Sequence, residues 1–129
     1  MKKQDDEQSE SWVETREQLQ QTLKFAGEVS QRSISRSMAW LEELEEAGYS
    51  NRLFLAQNHL ALLFSGEPYE VGVPVLVAEL DRFEPLVDFY FYPHGISPGQ
   101  AQLVGCKLVK GQPLSLTPRL RSLLEPLAR

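Results

Sequence analysis

The chain has 129 residues, 42% of them hydrophobic and 24% charged, enough for about one domain with a core of its own. Its net charge of −5 and its lack of clustered Lys/Arg argue against nucleic acid as a partner, since phosphate contacts require such clusters. No apolar run reaches the ~18–20 residues that cross a bilayer, and the opening MKKQDDEQSE lacks the apolar segment of a signal peptide. The protein is therefore expected to be soluble and cytoplasmic. Cys106 is the single cysteine, so no internal disulfide can form. Residues 1–48 hold 6 Lys/Arg and 11 Asp/Glu while 49–129 hold 7 of each, which places the acidity in the N-terminal part.

Residues 1–10 have almost no apolar side chains and are expected to form a disordered acidic tail, leaving 11–129 as a single α+β domain. Ser11 is placed to cap a helix that starts at Trp12, with Glu14 as its capping-box partner. Trp12, Leu19, Leu23 and Ala26 recur at spacings of 7, 4 and 3, which is one helical face, and Gly27 marks a bend or break. Ser30–Ser37 (SQRSISRS) reads as a poor helical turn or a short connection. The helical period returns at Ile34, Met38, Leu41 and Leu44. Glu42, Glu43, Glu45 and Glu46 line the opposite side, and Gly48 sits where a glycine ends a helix.

Asn51–Ser65 (NRLFLAQNHLALLFS) fits either a buried helix or a hairpin of RLFLA and LALLF around Gln57-Asn58-His59. Leucine and alanine favour the helix; Asn58 and the aromatics favour the hairpin, which is preferred with the helix left open. Val71, Val73, Val75 and Val77 then alternate with Gly72, Pro74, Leu76 and Ala78. That predicts a strand to which Pro74 gives an edge position or an irregular start. Asp81–Pro85 is a connection.

From Leu86 to Val109 the alternation is clearest. Val87, Phe89 and Phe91 interleave with Asp88, Tyr90 and Tyr92, and Val104, Cys106 and Leu108 with Leu103, Gly105 and Lys107. Pro93, Gly95, Pro98 and Gly99 lie between, predicting two antiparallel strands joined by a loop of roughly six to eight residues. Gly111-Gln112-Pro113 is expected to turn the chain. Thr117 and Pro118 then start a short helix with a face of Leu120, Leu123, Leu124 and Leu127, and Pro126 ends it. The fold expected is α+β: an N-terminal helix or helices, an antiparallel sheet of about four or five strands, and a short C-terminal helix.

Chemistry-bearing residues are few. His94, three residues before Ser97, has the titration range of a general base, but its place among loop residues reads as a turn. Cys106 would act as a nucleophile only with a base to lower its thiol pKa; within an apolar alternation it reads as a buried small side chain. His59 reads as a turn or surface residue. Two histidines and one cysteine without ligand spacing make no zinc site, and no cofactor is expected. Asp81, Glu84 and Asp88 form a carboxylate cluster on paper, or simply solvate a connection and a strand edge. No Walker A, dinucleotide-binding, HExxH or GxSxG motif is present. Tyr90 and Tyr92 project away from the face of Val87, Phe89 and Phe91, so either a helix of the same domain covers them or a partner does.

Two stretches resemble a family. FYFYPHGISPGQAQL is similar to the late strand–loop–strand of the minor pseudopilins of type II secretion and related pilus systems. There a strand ends in Phe-x-Pro-x-Gly and a Ser/Gly-containing loop leads into the next. Phe91, Pro93, Gly95, Ser97 and Gly99 carry this match, and Arg16–Ser33 is similar to the amphipathic part of that family's first helix. Those proteins begin with a processed apolar helix bearing a glutamate near its start; MKKQDDEQSESW stands in that place here. The resemblance implies the soluble part of a secretion or pilus subunit.

The residues themselves lead to a non-enzymatic interaction or adaptor domain that binds through its aromatic sheet face or an edge strand. Tyr90 and Tyr92, with Glu42, Glu43, Glu45 and Glu46, are the expected contacts. The partner is a protein, basic if the glutamates dock it, or a second copy of the chain. A small enzyme using His94 or Cys106 is the alternative from another class, and an acidic chaperone or immunity-type protein is a further form of the binding reading.

Overall fold

The computed structural model describes residues 2–58, 61–70, 72–95 and 106–128. Helices α1 (Lys2–Phe25) and α2 (Glu28–Glu46) meet at Gly27, whose extended backbone makes it the N-cap of α2. Behind α2, Gly48 adopts φ 92°, the left-handed geometry that ends helices. A short 3-10 turn over Tyr49–Asn51 leads into the sheet. The strands are β1 (Phe54–Asn58), β2 (Ala61–Ser65), β3 (Val75–Leu80), β4 (Leu86–Tyr92) and β5 (Lys107–Pro113). They pair antiparallel in chain order, so the α+β class and the preferred hairpin within 51–65 both hold. Helix α3 (Pro118–Leu124) follows, and its N-cap Thr117 accepts the Leu120 N–H at 3.1 Å.

Helices α1, α2 and α3 pack on one sheet face. Leu62, Phe64, Leu76, Ala78, Leu80, Val87 and Phe89 form that face and are buried against Trp12, Trp40, Leu41, Leu44, Leu120 and Leu124. Phe64 lies between two indoles, its ring centroid 5.9 Å from those of both Trp12 and Trp40. Trp40 also meets Phe89 at 6.0 Å. Such aromatic pairs add about 0.5–1.5 kcal/mol each beyond the area they bury.

Helix α1 starts at Lys2, so the expected tail is corrected: residues 2–10 are its first turns. Packing explains the extension, because Gln8 is buried and Ser9 Oγ donates to Asn51 Oδ1 at 2.8 Å. Ser11 is accordingly no cap. Its Oγ accepts the Leu55 N–H at 3.0 Å, while Trp12 Nε1 donates to the Leu53 carbonyl at 2.8 Å and Thr15 Oγ1 to the Leu55 carbonyl at 3.3 Å. Side chains of α1 thus occupy the backbone groups that β1 would otherwise leave open at the sheet edge.

Three further expectations change. Ser30–Ser37 belongs to α2, where Ser33 Oγ donates to the Asp81 carbonyl and Ser37 Oγ to the Ile34 carbonyl. Pro74 precedes β3, which is the middle strand of the sheet and not an edge; only the irregular start holds. Gly111-Gln112-Pro113 is the end of β5, not a turn. The register shifts opposite Val87–Phe89, Gly111 takes φ 66°, and its N–H donates to Asp88 Oδ1 at 2.8 Å. Bulges and turns call for the same residues, since both need positive φ.

Candidate functional site

Among the described residues, the sheet's other face carries no helix. Register brings Ala56, Leu63, Val77, Tyr90 and Leu108 into one row across all five strands. On one side of it runs the row Phe54, Ser65, Val75 and Tyr92; on the other runs Asn58, Ala61, Glu79 and Asp88. Side chains two residues apart along a strand share a face, which is why the tyrosines fall here once Val87 and Phe89 turn toward the helices.

Exposure is graded across this face. Phe54, Leu63 and Val75 are buried, whereas Leu108 is 48% exposed and Leu86, at the start of β4, 37%. The buried end lies where the β2–β3 connection meets the turn after β4. A Cβ on Gly95 would stand 2.7 Å from the backbone of Gly72 and Val73, so the two segments touch through glycine. The open end is bounded by Val77, Tyr90, Leu86, Leu108 and the carboxylates of Glu79 and Asp88.

Burial raises the pKa of Tyr90, and Glu79 and Asp88 raise it further, since a phenolate there would meet two negative charges. Burial likewise raises that of Tyr92, with Cys106 beside it adding to the effect. Both phenols are therefore neutral donors at physiological pH.

The glutamates lie elsewhere. Glu42, Glu43, Glu45 and Glu46 are on α2, on the opposite side of the sheet from Tyr90 and Tyr92, so the six expected contacts do not form one surface. Glu45 is half-buried and 3.0 Å from Arg16 Nε of α1. Burial raises its pKa more than Arg16 lowers it. Glu43 Oε1 accepts the Leu116 N–H at 2.9 Å. With Glu42, Glu46, Arg36, Trp40 and Pro85, Glu43 lines an open groove of about 500 Å³.

His94 is exposed in the turn after β4, and Cys106 is half-buried just before β5. Asp81 braces the turn before β4. Its Oδ1 accepts the N–H groups of Phe83 and Glu84, both at 2.8 Å, and these bonds hold its pKa down. Among the described residues, no group of His, Cys, Asp and Glu is placed to hold a metal ion, and no helix is long and apolar enough to cross a membrane. His59, Val71, Ser97, Gly99, Leu103, Val104 and Gly105 lie outside the described residues. Of the stretch similar to the pseudopilin first helix, Arg16–Phe25 closes α1 and Glu28–Ser33 opens α2.

The chain matches no known protein family, no curated protein and no solved structure. What the site does has to come from its own residues. Sequence reasoning missed Glu79, Leu86 and Leu108: alternation marked Leu108 as a strand residue, but only the register places all three beside Tyr90.

Proposed function

We propose that this protein is a non-enzymatic interaction domain that binds a protein partner, in the cytoplasm, through the outer face of its sheet. One observation carries the reading. At the outer end of the row from Ala56 to Leu108, half-buried Val77 and Tyr90 adjoin exposed Leu108 and Leu86 as one apolar and aromatic patch, and α1, α2 and α3 pack on the reverse side. Contiguous exposed apolar surface mark interaction sites on soluble proteins more often than chance would give, and tyrosine is enriched there.

Binding by strand addition at an edge is the weaker form. At β1 the edge groups of Leu55 are held by Ser11 and Thr15. At β5, Lys107, Lys110, the Gly111 bulge and Pro113 are devices that discourage strand pairing.

Affinity capture with the wild-type chain and with Leu108→Asp in parallel tests this reading. Partners held by the wild type, a second copy included, should be lost from the variant while its circular dichroism is unchanged. Retention of the same partners by both proteins would refute the face.

A further inference from the structure

Glu79 and Asp88 are Cα partners across β3 and β4, so two carboxylates stand side by side on the outer face. Like charges directly opposite each other in a sheet oppose folding. A chain selected for stability alone would avoid them there. Asp88 spends one oxygen on the Gly111 N–H. Among the described residues Glu79 makes no ion pair, and Lys110, in the bulge opposite Asp88, makes none either.

The ring of Tyr90 lies next to this pair. It is two residues from Asp88 on β4 and diagonal to Glu79, whose neighbour Val77 is its Cα partner. Both carboxylates act on its phenol. An aromatic face beside two carboxylates suits a guanidinium, which is planar, stacks on rings and bonds carboxylates through a fork of donors. Around the group, Val77, Leu86 and Leu108 offer apolar contact, with Leu86 and Leu108 the most exposed of them.

We propose that this end of the face recognises a protein segment carrying an arginine between apolar residues. The guanidinium lies on Tyr90 and pairs with Glu79 and Asp88, and the flanking apolar side chains rest on Val77, Leu86 and Leu108. This rests on the face being the binding surface and adds the chemistry of what it binds. Charge complementarity selects the occupant: an apolar segment without a cation would leave the carboxylate pair uncompensated and partly desolvated.

The test uses the 129-residue chain and two synthetic peptides, one with arginine flanked by leucines and one with glutamine in place of the arginine. Fluorescence anisotropy should show the arginine peptide binding about tenfold tighter, with the advantage falling as salt is raised. Glu79→Gln should remove most of that advantage without lowering the melting temperature, because it relieves the like-charge pair. Glu43→Gln on α2 should leave binding unchanged. If both peptides bind equally and Leu108→Asp abolishes both, the face binds but the arginine assignment is wrong. If neither peptide binds, or if Glu79→Gln leaves the arginine advantage intact, the inference is overturned.

Discussion

The phenol of Tyr49 donates a 2.6 Å hydrogen bond to Glu125 Oε2, joining the turn after α2 to the end of α3. Arg52 grips the same carboxylate with two bonds, at 3.1 and 2.8 Å, and its guanidinium lies 5.5 Å from the Tyr49 ring centroid. A seven-residue helix has little stability of its own. This latch and the burial of Leu120 and Leu124 are what hold α3 on the sheet.

A pH dependence follows from the latch. The Arg52 and Tyr49 bonds lower the Glu125 pKa from 4.5 to about 2. A carboxylate with a depressed pKa in the folded state stabilises fully above its unfolded pKa, and that contribution is lost as pH falls through the folded value. The melting temperature should therefore drop between about pH 4.5 and pH 2 in part through Glu125. In Glu125→Gln that part of the decline should be absent, and thermal melts at a series of pH values read it directly.

The two tryptophans respond differently to phenylalanine. Trp12 Nε1 donates to the Leu53 carbonyl, whereas Trp40 Nε1 is buried without an acceptor among the described residues. Trp12→Phe strands a buried carbonyl; Trp40→Phe removes an unsatisfied donor. Urea denaturation should show the first costing about 1–3 kcal/mol more than the second.

Two glycines with positive φ separate backbone strain from steric exclusion. At Gly111 an added Cβ meets nothing within 4 Å, so Gly111→Ala should cost the conformational penalty alone, about 1–2 kcal/mol. At Gly95 the Cβ would come 2.7 Å from the Gly72–Val73 backbone, which cannot step aside as a side chain would. Gly95→Ala should be clearly the more destabilised of the two in the same denaturation series.

Much of the fold was legible in the sequence. Period-two alternation found β4 and the tyrosine side of it, Thr117-Pro118 marked the start of α3, and Gly27 marked the break between α1 and α2. Failures came where tertiary partners decide. Residues 2–10 offer no apolar signal, yet buried Gln8 and the Ser9–Asn51 bond bring residues before Ser11 into a packed helix. Gly111 looked like a turn because a bulge asks for the same dihedral. In β3 the alternation marked a strand but both of its sides are apolar: Leu76 and Ala78 face the helices while Val75 and Val77 line the outer side. Alternation cannot rank two apolar sides. Only register shows Glu79 against Asp88 and separates both from the α2 glutamates.

Site-specific photo-crosslinking in the producing cell tests the central claim most directly. A photoreactive amino acid at position 108 lies on the outer face, and one at position 43 is exposed on α2, across the sheet from it. A discrete protein adduct formed from position 108 and not from position 43 is the result predicted. Adducts from position 43 alone, or none from position 108, would contradict the assignment of the outer sheet face as the binding surface.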